Sequence, residues 1–118
     1  MMVLVDTSIW IDHFRNDNAH LRALLLHGIV AIHPFIVGEL ACGNLKNRDE
    51  IISLMITMPQ AKRLSDQAVL SFINNNQLYG KGIGWVDAHL LASAVASGMR
   101  LHTLDRKLLS LKTRFEIY

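Results

Sequence analysis

Four carboxylates stand where packing alone gives no reason for an acid: Asp6, Glu39, Asp87 and Asp105. Asp6 closes the apolar run Val-Leu-Val, and Asp105 follows the expected strand Leu101–Leu104. Both therefore fall at expected strand ends. Glu39 is the only acid between Asp17 and Asp49, and its neighbours include Phe35, Ile36, Val37, Leu40 and Ala41. At helical spacing from Asp87 lie Leu90, Leu91 and Ala94, which places that acid along an apolar helix face. Taken one at a time, each acid has a structural reading as an N-cap, a first-turn acid or a solvent-edge glutamate. Carboxylates gathered close together repel one another and stay ionised only with a cation among them. Mg²⁺ or Mn²⁺ suits an all-oxygen donor set, and such a centre supports hydrolysis of a phosphodiester by an activated water. The six remaining acids, Asp12, Asp17, Asp49, Glu50, Asp66 and Glu116, have ordinary settings near helix starts, on polar faces or beside basic residues.

The elements that must position these acids follow from the apolar pattern. Strands are expected at residues 2–5, 29–32, 100–104 and 115–118, with a short extended segment at 62–64. Helices are expected at 8–15, 20–27, 34–42, 48–58, from a Ser65 cap through Ile73, at 86–97 and at 105–111. Short apolar strands alternating with amphipathic helices indicate an α/β fold with a parallel sheet covered on both faces. In such sheets ligands bind beyond the carboxyl ends of the strands, where Asp6 and Asp105 are expected.

Length and composition narrow the function classes. The 118 residues suit one domain, 1–118, and 51% hydrophobic residues are enough for a core. Cys42 is the single cysteine, which excludes an intrachain disulfide and a multi-cysteine zinc site. None of the six histidines forms an i, i+4 pair, so they read as structural or surface groups. No stretch is long and apolar enough to cross a bilayer and no secretory leader is expected, so a cytoplasmic protein without membrane attachment is expected. Formal net charge is +2, and residues 100–114 hold five basic side chains against the single acid Asp105. A basic rim beside an acidic centre suits RNA, and Arg106 and Lys107 are the substrate-contact candidates; the competing reading is a solvated surface. The glycines at 80, 82 and 84 match no phosphate-loop spacing and read as a flexible turn. Trp10 and Trp85 read as core or dimer-interface residues rather than base-stacking platforms.

Four segments, in order, carry a resemblance: Val5-Asp6-Thr7-Ser8-Ile9-Trp10-Ile11-Asp12, Gly38-Glu39-Leu40-Ala41-Cys42-Gly43, Val86-Asp87-Ala88-His89-Leu90-Leu91-Ala92 and Leu101-His102-Thr103-Leu104-Asp105. Together they resemble the PIN-domain family, and within it the VapC-type ribonuclease toxins of type II toxin–antitoxin pairs. No single segment is specific, but the ordered set spans essentially the whole chain. The resemblance implies an α/β/α sandwich around a central parallel sheet and a Mg²⁺- or Mn²⁺-dependent endoribonuclease leaving 5′-phosphate and 3′-hydroxyl ends. It implies Asp6, Glu39, Asp87 and Asp105 as the catalytic and metal-holding acids, with Ser8 and Thr103 as supporting hydroxyls. A cognate antitoxin and a homodimer are implied as well. Many members carry a further Asp two residues after the last acid; here that position is Lys107.

Two rival readings accompany this one. A non-catalytic RNA- or protein-binding module would share the fold. An aspartyl-nucleophile phosphatase would use Asp6 directly, but wants a second Asp where this chain has Ser8.

Overall fold

Val3, Leu4 and Val5 are all buried, as a strand covered on both faces requires, and they form the central strand β1 (Val3–Val5). The computed structural model describes residues 1–118. After β1 come α1 (Thr7–Asn16), α2 (Ala19–Leu26), β2 (Val30–Ala31), α3 (Pro34–Ala41) and α4 (Arg48–Ile56). The chain continues through α5 (Asp66–Asn75), α6 (Trp85–Ser97), β3 (Arg100–His102) and α7 (Arg106–Leu109). The sheet is parallel with order β2-β1-β3. Strand order therefore reverses across β1, and its carboxyl end is the switch point at which parallel sheets open a crevice.

Local chemistry accounts for the helix starts. Asn18, Ser65 and Asp105 each accept a hydrogen bond from a first-turn backbone N–H, closing the amino ends of α2, α5 and α7. His33 does the same for α3, where Pro34 takes the first helical position and needs no donor. Gly98 ends α6 at φ +65°, a left-handed conformation that turns the chain straight into β3. The middle of α6, from Ala88 to Ala94, is buried on every side. One apolar cluster joins both faces of the sheet, with Leu4, Ile9, Ile36, Leu90 and Leu101 almost fully enclosed. A smaller one of Val69, Ala88 and Ala92 seats α5 on α6. No helix is long and apolar enough to cross a membrane.

Two expected strands are reduced. Residues 115–118 do not form a strand but a single parallel bridge, Leu101 to Ile117, on the free edge of β3. Thr103 N–H donates to Tyr118 O and Leu101 N–H to Glu116 O, both at 2.8 Å, but turns occupy the preceding residues and leave no length for a ladder. The extended pairing expected at 62–64 falls earlier, as a bridge from Ile32 to Gln60. Pro59 lacks an N–H but its carbonyl accepts from Ile32 at 2.8 Å, so the chain pairs immediately after the end of α4 and its turn. The final helix is likewise one turn, with residues 110–114 in turns and 115–116 in a bend.

Candidate active site

The register between β1 and β3 decides what surrounds Asp6. Val5 lies opposite His102, and Asp6 N–H donates to His102 O at 2.9 Å, so the next pair across the strand ends is Asp6 and Thr103. Thr103 Oγ1 donates to Asp6 Oδ2 at 2.8 Å. Ser8, in the first turn of α1, donates to the same oxygen at 2.8 Å. The two hydroxyls are in turn held from behind: Leu104 N–H donates to Ser8 Oγ and Asp105 N–H to Thr103 Oγ1, each at 3.0 Å. Asp6 is only 7% exposed. Both hydroxyls take Oδ2, which leaves Oδ1 without a side-chain partner.

The other three acids surround this fixed carboxylate. Asp105 is half-buried as the cap of α7, with Oδ1 accepting from Lys107 N–H at 3.0 Å. Asp87 is half-buried at the third position of α6, where Oδ2 accepts from Gly84 N–H at 3.2 Å. Partial burial raises its pKa most, the Gly84 hydrogen bond works against that, and the charges of Asp105 and Asp6 add to the rise. Glu39 differs from the sequence expectation of a packed face: it is exposed. Ile36 and Leu40 form the buried stripe of α3, and Glu39 falls on its flank. Its pKa is nonetheless raised, first by partial desolvation and then by the charges of Asp6 and Asp87. The charges of Asp6, Asp87 and Glu39 thus act on one another, and Asp105 joins them through Asp87, at the carboxyl edge of the sheet.

This donor set fits a hard divalent cation. It is all carboxylate oxygen, and two members already carry the cost of mutual repulsion. No three His, Cys, Asp or Glu side chains converge closely enough to hold an ion as they stand. Asp6 is the fixed point; Asp87 and Asp105 each keep one carboxylate oxygen outside their backbone hydrogen bonds, and Glu39 is exposed.

The PIN-domain family profile matches residues 3–113. The chain belongs to the PIN-domain family. It is 41% identical over 108 residues to "Ribonuclease VapC32" of Mycobacterium tuberculosis, covering 91% of this chain and 87% of that protein. Among solved structures it superposes with a TM-score of 0.73 on VapBC-1 from nontypeable Haemophilus influenzae, at 17% identity over 100% of this chain and 97% of that one. DNA-bound VapBC from Salmonella typhimurium gives the same TM-score, 15% identity and the same coverage. At these identities the structural likeness speaks for the PIN fold alone.

The basic stretch of this PIN domain does not form one face. Arg100 lies over the Tyr118 ring at 4.0 Å and faces Glu116 at 3.8 Å. Arg114 donates to Asn76 O. Lys112 lines a cavity with Met1 and Met99, which precede β1 and β3, at the opposite edge of the sheet from Asp6. Only Arg106 and Lys107, both exposed on α7, follow directly on an acid of the set. Lys107 runs along the glycine loop: a Cβ on Gly82, which has φ +83°, would meet Lys107 Cδ at 3.0 Å. The loop is therefore the bed for Lys107.

Several polar groups escaped the sequence reading. His89 is fully buried in α6 and bonds Asp66 Oδ1 through Nε2 at 3.1 Å, so Asp66 does more than open α5. A histidine inside an otherwise apolar helix was the available signal, because a buried ring nitrogen needs a partner. His33 is also fully buried. Trp10 is in the core, but Trp85 remains 42% exposed.

Proposed function

We propose that this PIN domain is a divalent-metal-dependent endoribonuclease acting as the toxin of a toxin–antitoxin pair. The observation that carries the proposal is Asp6, an almost buried carboxylate fixed by two hydroxyls at the switch point of the sheet, with three further acids whose charges reach one another. The relative named a ribonuclease, at 41% identity, supports the same activity. Asp6, Glu39, Asp87 and Asp105 would hold Mg²⁺ or Mn²⁺. When bound, such an ion lowers the pKa of a water and offsets charge building on the phosphate.

The chain's own groups supply the rest. Ser8 and Thr103 hold Asp6 in one orientation, so the acid need not be ordered during the reaction. An acid of the set would accept the proton of the attacking water. Arg106 and Lys107 offer cations for the phosphates flanking the bond that breaks. Attack on phosphorus with departure of the 3′-oxygen gives 5′-phosphate and 3′-hydroxyl ends. A cognate antitoxin that covers the acids belongs to the same proposal, supported by the VapBC names of the structural neighbours; a homodimeric state and a cytoplasmic setting are proposed with it. Ser8 occupies the place of a phosphatase's second acid and donates to Asp6, which disfavours Asp6 as a nucleophile.

The test is Asp6→Asn and Asp87→Asn in an RNA-cleavage assay with Mg²⁺. Both variants are expected to lose cleavage while remaining folded, and Asp87→Asn should melt, in metal-free buffer, at or above the wild-type temperature, because carboxylate repulsion is relieved. Wild-type cleavage by both would overturn the assignment. Metal-dependent RNA binding without cleavage by the unmodified chain would favour the non-catalytic module.

A further inference from the structure

A groove of about 590 Å³ opens between α3 and the start of α6, with Phe35, Gly38, Glu39, Trp85 and Val86 among its walls. Glu39 is its one charged lining group, and therefore belongs both to the groove wall and to the acid set. Trp85 presents 42% of its surface to solvent, a large exposure for an indole. Its ring is not loose: it meets the buried His89 ring edge-on at 4.6 Å, and Phe35 meets the same ring at 4.8 Å. His89 thus braces two aromatic walls from below. Arg63 lies over the Phe35 ring at 5.0 Å, which puts a cation beside the groove.

Gly38 supplies the second observation. It lies inside α3, where glycine weakens a helix, yet its backbone is not left-handed and a Cβ there would meet nothing within 4 Å. Helix packing does not call for glycine at that position. What it does is keep the groove clear.

We propose that this groove is a nucleobase subsite, taking one unpaired base of the RNA strand whose phosphate lies at the acids. The proposal rests on the ribonuclease reading and adds the site that holds the base. A flat, uncharged, aromatic occupant suits an exposed indole and an apolar floor. Base edges also bring amino donors that Glu39 can meet. An apolar protein surface closing the same groove would strip water from Glu39 without pairing it, at a cost a base avoids. The cation of Arg63 fits the next phosphate along the strand.

The experiment uses the full chain with Asp6→Asn, in Mg²⁺, so that RNA survives the titration. Short single-stranded RNA is compared with an abasic oligonucleotide carrying the same number of phosphates. Binding is read by anisotropy and by indole fluorescence, and Trp85→Phe separates the Trp85 signal from that of Trp10. RNA should quench Trp85 and bind roughly tenfold or more tighter than the abasic chain. Gly38→Leu should remove that preference, leave abasic binding unchanged and melt at or above the parent temperature. Gly38→Ala should give an intermediate loss. Equal binding of RNA and abasic chain by the parent would overturn the subsite. So would a Gly38→Leu chain that binds RNA normally, or one altered only in self-association or in binding a protein partner. Cleavage by the unmodified chain is scored separately: its absence, with the base preference intact, overturns the ribonuclease reading and leaves the subsite standing.

Discussion

At the scale of single residues, the site depends on how two hydroxyls treat one oxygen. Ser8 and Thr103 both donate to Asp6 Oδ2, and a hydrogen bond to a charged acceptor contributes about 1.5–3 kcal/mol. Ser8→Ala and Thr103→Val should each leave the fold intact and cut RNA cleavage roughly 10- to 100-fold, as loss of groups that orient metal ligands does elsewhere. The Mg²⁺ concentration needed for half-maximal cleavage should rise in both, and the double variant should lose less than the product of the singles because one oxygen is shared. A Mg²⁺ titration of initial rates checks this; unchanged half-saturation would make the hydroxyls merely structural. The acids also set a pH dependence. Burial and neighbouring charge raise the pKa values of Glu39 and Asp87 above their unfolded values, so folding favours their protonated forms. Their contribution to stability is present below the ordinary carboxylate range and is lost as pH rises through the raised values. In chelator, Asp6→Asn removes a cause of both shifts, and its melting temperature should fall less than that of the wild type on going from acid to neutral pH. Identical slopes in thermal melts of the two chains would contradict the coupling.

At the scale of elements, α3 carries Glu39 and is the helix most exposed to acid. Its cap is His33, whose Nδ1 accepts from Phe35 N–H at 3.0 Å, while the buried Nε2 finds no partner. A proton on Nδ1 would set donor against donor. Burial, followed by the charges of His89 and Arg63, lowers the His33 pKa from 6.5 to about 4. Between those values the unfolded chain takes up a proton that the folded chain refuses, so stability falls as pH drops from 6.5 toward 4 and the loss then levels off. The shift corresponds to about 3 kcal/mol for a fully buried ring. His33→Asn keeps a capping oxygen without the titration, so urea unfolding at pH 7 and pH 4.5 should show the wild type losing about 2–3 kcal/mol more than the variant. Equal losses would remove His33 from the account. The cap itself illustrates what sequence makes visible. Pro34 announced the start of α3, and Gly98 the end of α6, because each residue dictates its own backbone. The side that Glu39 takes was not visible, since the spacing that buries Ile36 and Leu40 in an eight-residue helix leaves its flank ambiguous. The meeting of Ser8 with Thr103, 95 residues apart, depends on the β1–β3 register, which no local pattern encodes.

At the scale of the whole molecule, charge matters by where the fold delivers it. The parallel α/β architecture and its short strands were legible because Val3–Val5 and the β3 region are continuous apolar runs between helices. The basic stretch at 100–114 was legible as composition but not as a surface. The chain turns sharply after β3 and sends its cations to different ends: Arg106 and Lys107 follow Asp105, whereas Lys112 lies in a cavity of about 420 Å³ at the amino edge of the sheet. A single-stranded partner neutralised by Z cations shows a salt slope near −0.7Z. If the acids mark the RNA site, Arg106→Gln with Lys107→Gln should flatten the slope of log K against log salt by up to about 1.4, while Lys112→Gln should leave it unchanged. Because Asp105 N–H, Leu104 N–H and Lys107 N–H make their hydrogen bonds through backbone atoms, the double glutamine variant should preserve the site itself. Its loss of affinity should then be largest at low salt and fade as salt screens the missing contacts. An equal flattening by Lys112→Gln would mean that RNA runs along the opposite edge of the sheet, and would separate the acids from the strand they are proposed to cut.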